Sequence, residues 1–404
     1  MGEEHYLTAG LPGTGGTIKE TAEDFVVEEI PLYLPCGEGE HVYALMEKRG
    51  VTTLDAIRRL ARALKISERD VGYAGMKDAR GVTRQTVSLP RVKPEEVLAL
   101  ELPGIRVLTA VRHRNKLKLG HLAGNRFRIR VRGVVPDALE RAEAILAVLE
   151  KRGVPNRFGE QRYGVQGNSH LIGRAMLASD WRGAVDLLMG DPARVAGEAW
   201  RSAIEAYRRG ELEESLHLFP GHCRTERDVL QRLVKRPDDF ERAFHAVHPR
   251  LKKLYLSACQ SALFDRVVEA RLESLDTVRE GDLAWKHANG ASFLVTDAAA
   301  EASRAESFEI SPTGPLFGCR MTMPEGEEGA LENSLLAAEG LEPASFDLPG
   351  GLRMEGERRP LRVPLGEPRV SIDAEGLVLV FSLPKGSYAT ALLREIVKSE
   401  ARMT

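Results

Sequence analysis

At 404 residues the chain exceeds what one ordinary hydrophobic core serves, so two domains are expected. A composition of 43% hydrophobic and 29% charged residues, with no apolar run of membrane-span length, excludes a disordered or membrane-spanning chain. The net charge of −2 gives no bulk attraction to nucleic acid, so any polyanion surface must come from segregated charge.

The start, Met1-Gly2-Glu3-Glu4-His5, is acidic and polar, unlike a signal peptide, and the cytoplasm is the expected compartment. Cys36, Cys223, Cys259 and Cys319 stand far apart without disulfide or zinc spacing and read as reduced thiols. His217, His222 and Cys223 come nearest to a metal cluster, but no second ligand pair completes a tetrahedron, so no metal is expected. The glycine-rich run 11–17 lacks a preceding strand and a Gly-Lys-Ser/Thr ending; it reads as a flexible lead-in rather than a phosphate loop.

Residues 18–30 end in a strand-like run, and the turn-rich segment 31–40 leads to a second strand over 41–47, so the two read as a hairpin or meander. On such strands Phe25 is by default a core residue and Lys19 a surface one. Thr52 with Asp55 has helix-capping spacing, and Leu54, Ile57, Leu60, Ala61 and Leu64 follow at helical intervals. That helix delivers the chain to the stretch from Gly72 to Gln85, which leads into a strand expected over 86–89. One carboxylate, Asp78, lies there between Lys77 and Arg80, among small residues (Ala74, Gly75, Ala79, Gly81) that let a backbone or ligand come close. Taken alone, a single acid in a cationic turn reads as a solvated loop residue.

Charge is segregated just downstream. Between Glu101 and Asp137 there is no acid, yet there are nine basic residues: Arg106, Arg112, Arg114, Lys116, Lys118, Arg126, Arg128, Arg130 and Arg132. Segments 116–119 and 126–132 both alternate basic and apolar residues, which on two strands puts the cations on one sheet face and predicts a polyanion track. A helix follows over 137–152 with Gly153 as its stop, and then a stretch from Asn156 to Gly164 rich in amide, guanidinium and aromatic groups. From about 160 to 353 the texture is mostly helical, with helices expected over 174–189, 196–208, 226–236 and 249–275. A rigid turn is expected over 311–318, and a glycine- and acid-rich stretch over 324–353. Strands over 369–373, 377–381 and 383–390 and a helix over 391–398 close the chain.

Six motifs occur in one order: Glu23-Asp-Phe-Val-Val-Glu-Glu29, Ala74-Gly-Met-Lys-Asp-Ala-Arg-Gly-Val-Thr-Arg-Gln85, Gly124-Asn-Arg-Phe127, Asn156-Arg-Phe-Gly-Glu-Gln-Arg-Tyr-Gly164, Gln260-Ser-Ala-Leu-Phe264 and Lys385-Gly-Ser-Tyr-Ala-Thr390. With them the chain resembles the TruD family of tRNA pseudouridine synthases, from near residue 17 to the C-terminal helix; residues 324–353 match least. The resemblance implies an α+β fold, in which a catalytic domain with a mixed, mainly antiparallel sheet is interrupted by a largely helical inserted TRUD domain. Expected boundaries are 1–159 and 354–404 for the catalytic domain and 160–353 for the insertion.

It further implies that Asp78 is the catalytic carboxylate and nucleophile, acting directly on the sugar or by a glycal route, and that Lys19 is its charge partner, with Lys77 and Arg80 as local alternatives. Phe25 and Tyr388 would flank a flipped base, Asn125 would read its polar edge, and Phe127 is either pocket wall or core. The implied substrate is tRNA, at uridine 13 of the D arm, with Lys116, Lys118, Arg126 and Arg128 tracking the RNA backbone. No cofactor and no membrane are expected, and a monomer suffices. Two other classes stand beside this one. A catalytically inactive RNA-binding or tRNA-folding protein would not need Asp78 with Lys19 and Asn125, and a methyltransferase would need a glycine-rich cofactor loop after a strand, which is missing.

Overall fold

The computed structural model describes residues 5–398. The chain runs through β1 (Thr17–Ile18), β2 (Phe25–Pro31), β3 (His41–Arg49) and α1 (Thr53–Ala63). Helix α1 begins where its capping residues place it: the Thr52 side chain accepts from the Asp55 backbone N–H, and Ala56, Ile57, Leu60 and Ala61 turn inward. Then come β4 (Gly72–Tyr73), β5 (Val82–Pro90), α2 (Pro94–Leu98), β6 (Ile105–His113), β7 (Leu122–Arg132), α3 (Ala138–Arg152) and β8 (Val154–Pro155). Gly153 stops α3 at φ 89°, a backbone region that favours glycine.

Packing divides the chain into two compact units: the residues up to Pro155 together with those from Val363 onward, and residues 156–362. The second unit holds α4 (Ser169–Leu177), α5 (Trp181–Met189), α6 (Glu198–Arg208), α7 (Leu212–Leu218), α8 (Arg224–Lys235), α9 (Phe240–Phe244) and α10 (Pro249–Ala270). The single helix expected over 174–189 is two, because Ser179 turns left-handed (φ 55°) and Asp180 caps α5 by accepting from the Gly183 N–H. Beyond α10 lie β9 (Leu283–Lys286), β10 (Ser292–Leu294), α11 (Ala298–Glu306), β11 (Ile310–Leu316), α12 (Gly326–Ala338) and β12 (Glu357–Pro360). The expected rigid turn at 311–318 is in fact strand β11, inside an antiparallel sheet of order β10-β9-β11-β12. Its prolines lack a donor but keep their acceptors, and the Pro312 carbonyl takes the Leu361 N–H at 2.9 Å.

The acid-rich stretch includes α12, and two acids of that helix face inward as counter-charges. Arg358 donates to both oxygens of Glu332 at 2.8 and 2.7 Å, and Arg271 bridges Asp282 and Glu328. All of these groups are buried, so each cation needs its acid.

After β13 (Arg362–Val363), strands β14 (Gly366–Asp373) and β15 (Gly376–Pro384) return the chain to the first unit, and α13 (Ala389–Val397) follows. The sheet there has nine strands in the order β14-β15-β7-β2-β5-β3-β6, with β1 added to β7 and β4 to β5. Its described pairings are antiparallel except β2 with β5, which start in parallel at Val26 opposite Val82. The expected β2–β3 hairpin is therefore absent: β5 lies between them, and the turn-rich segment spans it. Phe25, Val27, Phe127, Ile129 and Val131 pack with Ile145 and Leu149 of α3 and Leu392 and Ile396 of α13. Val42, Ala44, Met46, Val87 and Leu89 pack with α1. The glycine-rich lead-in is not loose either. Thr14 and Gly15 donate to the Ile396 and Val397 carbonyls at 2.8 and 3.1 Å, and a Cβ on Gly13 would come within 2.6 Å of the Val397 oxygen. No helix among the described residues is long and apolar enough to cross a membrane.

Candidate active site

Two chain segments far apart in sequence meet at Asp78. Lys19 follows β1, which is held on β7 by Thr17 opposite Arg132, and its backbone is left-handed at φ 61°. A non-glycine residue there costs roughly 1–2 kcal/mol, so its surroundings must hold it. Asp24 does much of that: buried, it accepts from the Thr21 N–H and takes two guanidinium bonds from Arg132 at 2.9 and 2.8 Å. So held, Lys19 Nζ reaches Asp78 Oδ2 at 2.6 Å and lies 4.4 Å from the centre of the Phe25 ring. Asp78 Oδ1 accepts from the Arg80 backbone N–H at 2.9 Å. The lysine side chain is 6% exposed and the aspartate 24%, so the pair is sheltered but open on the carboxylate side.

Burial by itself pushes the Asp78 carboxyl upward, but the Lys19 ammonium and the backbone N–H groups of Arg80 and Ala79 outweigh it, and the acid lies below the usual carboxylate range. The two local cations play other parts. Lys77 Nζ pairs with Glu29 Oε2 at 3.0 Å, both side chains nearly buried, and the exposed Arg80 offers Asp78 its backbone N–H.

A second layer of polar groups fixes the loop from beneath; Lys48 and Thr53 lie outside the six motifs, and Glu29 and Gln85 lie within them without an assigned role. Lys48, fully buried, donates from Nζ to the carbonyls of Val51 and Asp78 at 2.8 Å and of Lys77 at 3.4 Å. Burial pushes this lysine down to about 8; the Asp78 carboxylate opposes the shift and Lys77 adds to it. The Lys77 N–H donates to Thr53 Oγ1, which donates to Gln85 Oε1, while Gln85 Nε2 holds the Gly75 carbonyl at 3.1 Å. Glu29 Oε1 accepts from the Thr86 N–H at 3.3 Å. The signal was one of phase: Lys48 continues the inward series Val42, Ala44, Met46, Glu29 continues Phe25, Val27, and Gln85 precedes Val87, Leu89. A polar residue in phase with a buried apolar series has an internal partner.

Of the other anticipated residues, Phe25 and Phe127 are both buried in the core, edge to face at 6.4 Å, with Phe127 stacked on Phe381 at 5.2 Å. Phe25 nonetheless touches Lys19. Asn125 sits on β7 opposite Glu29, the partner of Lys77, and its Oδ1 is buried without a hydrogen-bond donor among the described residues. Tyr388, at the N-terminal cap of α13, follows the end of β15 where Leu383 and Pro384 pair with Asn125 and Gly124. Lys19 thus touches both Phe25 and Asp78, and Asn125 lies on β7 beside Glu29, whose partner Lys77 precedes Asp78.

The basic segment departs from expectation. Residues 116–119 form no strand; Leu117 turns inward, Lys116 Nζ donates to the Arg69 carbonyl at 2.6 Å, and Lys118 is exposed. Strand β7 does alternate as anticipated, but acids from elsewhere meet its cations: Glu367 at Arg126, Asp373 and Glu375 at Arg130, and Asp24 at Arg132. The segment is free of acid only along the chain, not in space. Arg128 is exposed and makes no ion pair among the described residues. Nor is there among those residues a group of three His, Cys, Asp or Glu side chains placed to hold a metal.

Comparison with known proteins agrees with this architecture. The family model for tRNA pseudouridine synthase D (TruD) matches residues 1–396. A Geobacter metallireducens protein named tRNA pseudouridine synthase D is 89% identical over 397 residues, 98% of each chain. Its Geobacter sulfurreducens counterpart is 77% identical over 396 residues, 98% of this chain and 97% of that one. The crystal structure of a Methanosarcina mazei protein, solved as a candidate tRNA pseudouridine synthase D, superposes with a TM-score of 0.84 at 29% identity, covering 98% of this chain and 97% of the other. With the family model spanning nearly every residue, the chain belongs to the TruD family of tRNA pseudouridine synthases.

Proposed function

We propose that this protein isomerises a uridine of tRNA to pseudouridine, at position 13 of the D arm, with Asp78 as the catalytic carboxylate. The observation that carries the reading is the Lys19–Asp78 contact at 2.6 Å, which keeps one acid ionised in a sheltered site. The reaction breaks the bond between uracil N1 and the sugar C1′, turns the base, and joins C5 to C1′. The C5 proton is lost and N1 gains one, so atoms balance without a cofactor. An ionised Asp78 serves either route, attacking the electron-poor C1′ or taking a proton from C2′.

A uridine in folded tRNA must leave its stack to be reached. Phe25 and Tyr388 supply aromatic faces for the extruded base, and Phe127 supports Phe25 from the core. The orphaned Asn125 Oδ1 is an acceptor in want of a donor, which the N3–H of uracil provides. Lys116, Lys118, Arg126 and Arg128 meet the RNA backbone. The inserted TRUD domain, residues 160–353, falls within the compact unit of residues 156–362, and the enzyme works as a cytoplasmic monomer.

The test is to incubate the protein with unmodified tRNA transcript, without cofactor, and to map pseudouridine chemically. Product is expected at one uridine and should vanish with Asp78→Asn. Product that survives this change refutes the carboxylate assignment, and tRNA binding without product favours an inactive RNA-binding protein.

A further inference from the structure

We infer that Leu32, Leu34, Met76 and Leu119 form an apolar wedge that enters the base stack of the tRNA beside the target uridine and holds it open. The inference rests on the tRNA reading of the Asp78 site. These are the four most exposed large apolar side chains described in this unit, at 54, 77, 68 and 68%. They come from three segments far apart in sequence, which the loop from Lys118 to His121 joins. The hydroxyl of Tyr33, which stands between Leu32 and Leu34, meets His121 Nδ1 at 2.8 Å. The Gly120 N–H donates to the Ala74 carbonyl at 2.8 Å, two residues before Met76 and four before Asp78. Leu119 itself precedes Gly120. From the end of β15, Lys385 donates to the Gly120 carbonyl at 3.3 Å. Three segments that carry exposed apolar side chains thus meet at a loop that is bonded to the stretch bearing Asp78.

Large apolar side chains left in water on adjoining segments mark a contact surface. Its surroundings name the partner. Lys118 adjoins Leu119, Lys116 and Lys385 flank the loop, and the nearby Glu38 is occupied by Arg114. Cations around an apolar tip suit a nucleic acid, whose backbone is anionic and whose bases are apolar on their faces. The mount is firm: Tyr33 stacks on His113 at 5.5 Å, and Tyr43 lies against the same ring at 4.4 Å. Extruding a nucleotide forfeits its stacking, and a rigid apolar side chain that takes its place recovers part of the loss. The wedge therefore acts on the RNA next to the target, while Asp78 acts on the target.

The test uses the full chain and a tRNA transcript carrying 2-aminopurine, whose fluorescence rises on unstacking, beside the mapped target uridine. Wild type should raise the fluorescence on binding. The double variant Leu34→Ser with Leu119→Ser should bind with nearly unchanged Kd, lose most of the rise, and slow single-turnover pseudouridine formation about tenfold or more. Leu34→Met with Leu119→Met should restore both. Because the changed residues are exposed, the melting curve should not move. The wedge is overturned if wild type makes pseudouridine without a fluorescence rise, if the serine variant keeps either the rise or the rate, or if its only loss is of affinity. A wild type that makes no pseudouridine on this tRNA refutes the functional reading instead.

Discussion

At Asp78 two effects oppose each other, and the sign of their difference decides whether the acid is ionised. Burial favours the neutral acid, while Lys19 and two backbone N–H groups favour the anion and win. Because the folded-state value lies below the unfolded one, the stabilisation from this ionised group is present above the ordinary carboxylate range and is lost as pH falls through the lowered value. Activity that needs the anion should therefore hold its plateau down to and below the ordinary aspartate range. Lys19→Met removes the larger opposing cause and leaves burial in command. The acid limb of its kcat–pH profile should move upward, and its plateau should fall by about a hundredfold or more through lost charge and positioning. A variant with an unmoved acid limb would show that Lys19 does not set the charge of Asp78. At this scale the sequence was legible only through resemblance. Nothing near Asp78 distinguishes Lys19 from Lys77 or Arg80; the left-handed turn that aims Lys19 and the Glu29 carboxylate that occupies Lys77 are tertiary facts.

Elements, rather than single residues, decide how firmly that carboxylate is held. Strand β3 runs beside β5 and sends Lys48 under the loop, where one ammonium answers three carbonyls, two of them on Lys77 and Asp78. Replacing it with methionine keeps most of the apolar stem but strands those acceptors. Lys48→Met should destabilise the protein by roughly 1–3 kcal/mol. If Lys48 positions the loop, kcat should fall by about 10- to 100-fold with KM for tRNA little changed, since the loss belongs to the transition state. A lower melting temperature with kcat intact would make Lys48 merely structural. The alternation of β3 contained this residue in plain view, but a charged strand end reads as solvent-facing until its neighbour is known. The same lack of neighbours hid the insertion of β5 between β2 and β3 and the strand built on Pro312 and Pro315. Local pattern reports which way a residue faces; it does not report which strand lies alongside.

Across the whole molecule a near-neutral chain has to hold a polyanion, so what counts is which cations remain unspent once the fold is made. Arg130 and Arg132 are committed to Asp24, Asp373 and Glu375, and they serve the sheet more than any ligand. Arg126 shares an exposed pair with Glu367, a contact worth little in water and easily traded for a phosphate. Lys116, Lys118 and Arg128 have no acid partner among the described residues. The acid-free stretch was legible as a charge pattern; its partial neutralisation was not, because the neutralising acids come from residues 76 or more positions away. Each phosphate neutralised by protein releases counterions, so the slope of log affinity against log salt reports how many cations engage. Between about 50 and 200 mM salt, Lys116→Glu with Arg128→Glu should make that slope shallower by about two and weaken tRNA binding at the lower salt by tenfold or more. Arg130→Gln, by contrast, should leave the slope alone and lower the melting temperature, since it strips a nearly buried cation from its acids. Fluorescence anisotropy with labelled tRNA separates the two. An unchanged slope in the double variant, or a changed one in Arg130→Gln, would place the phosphate contacts on another face.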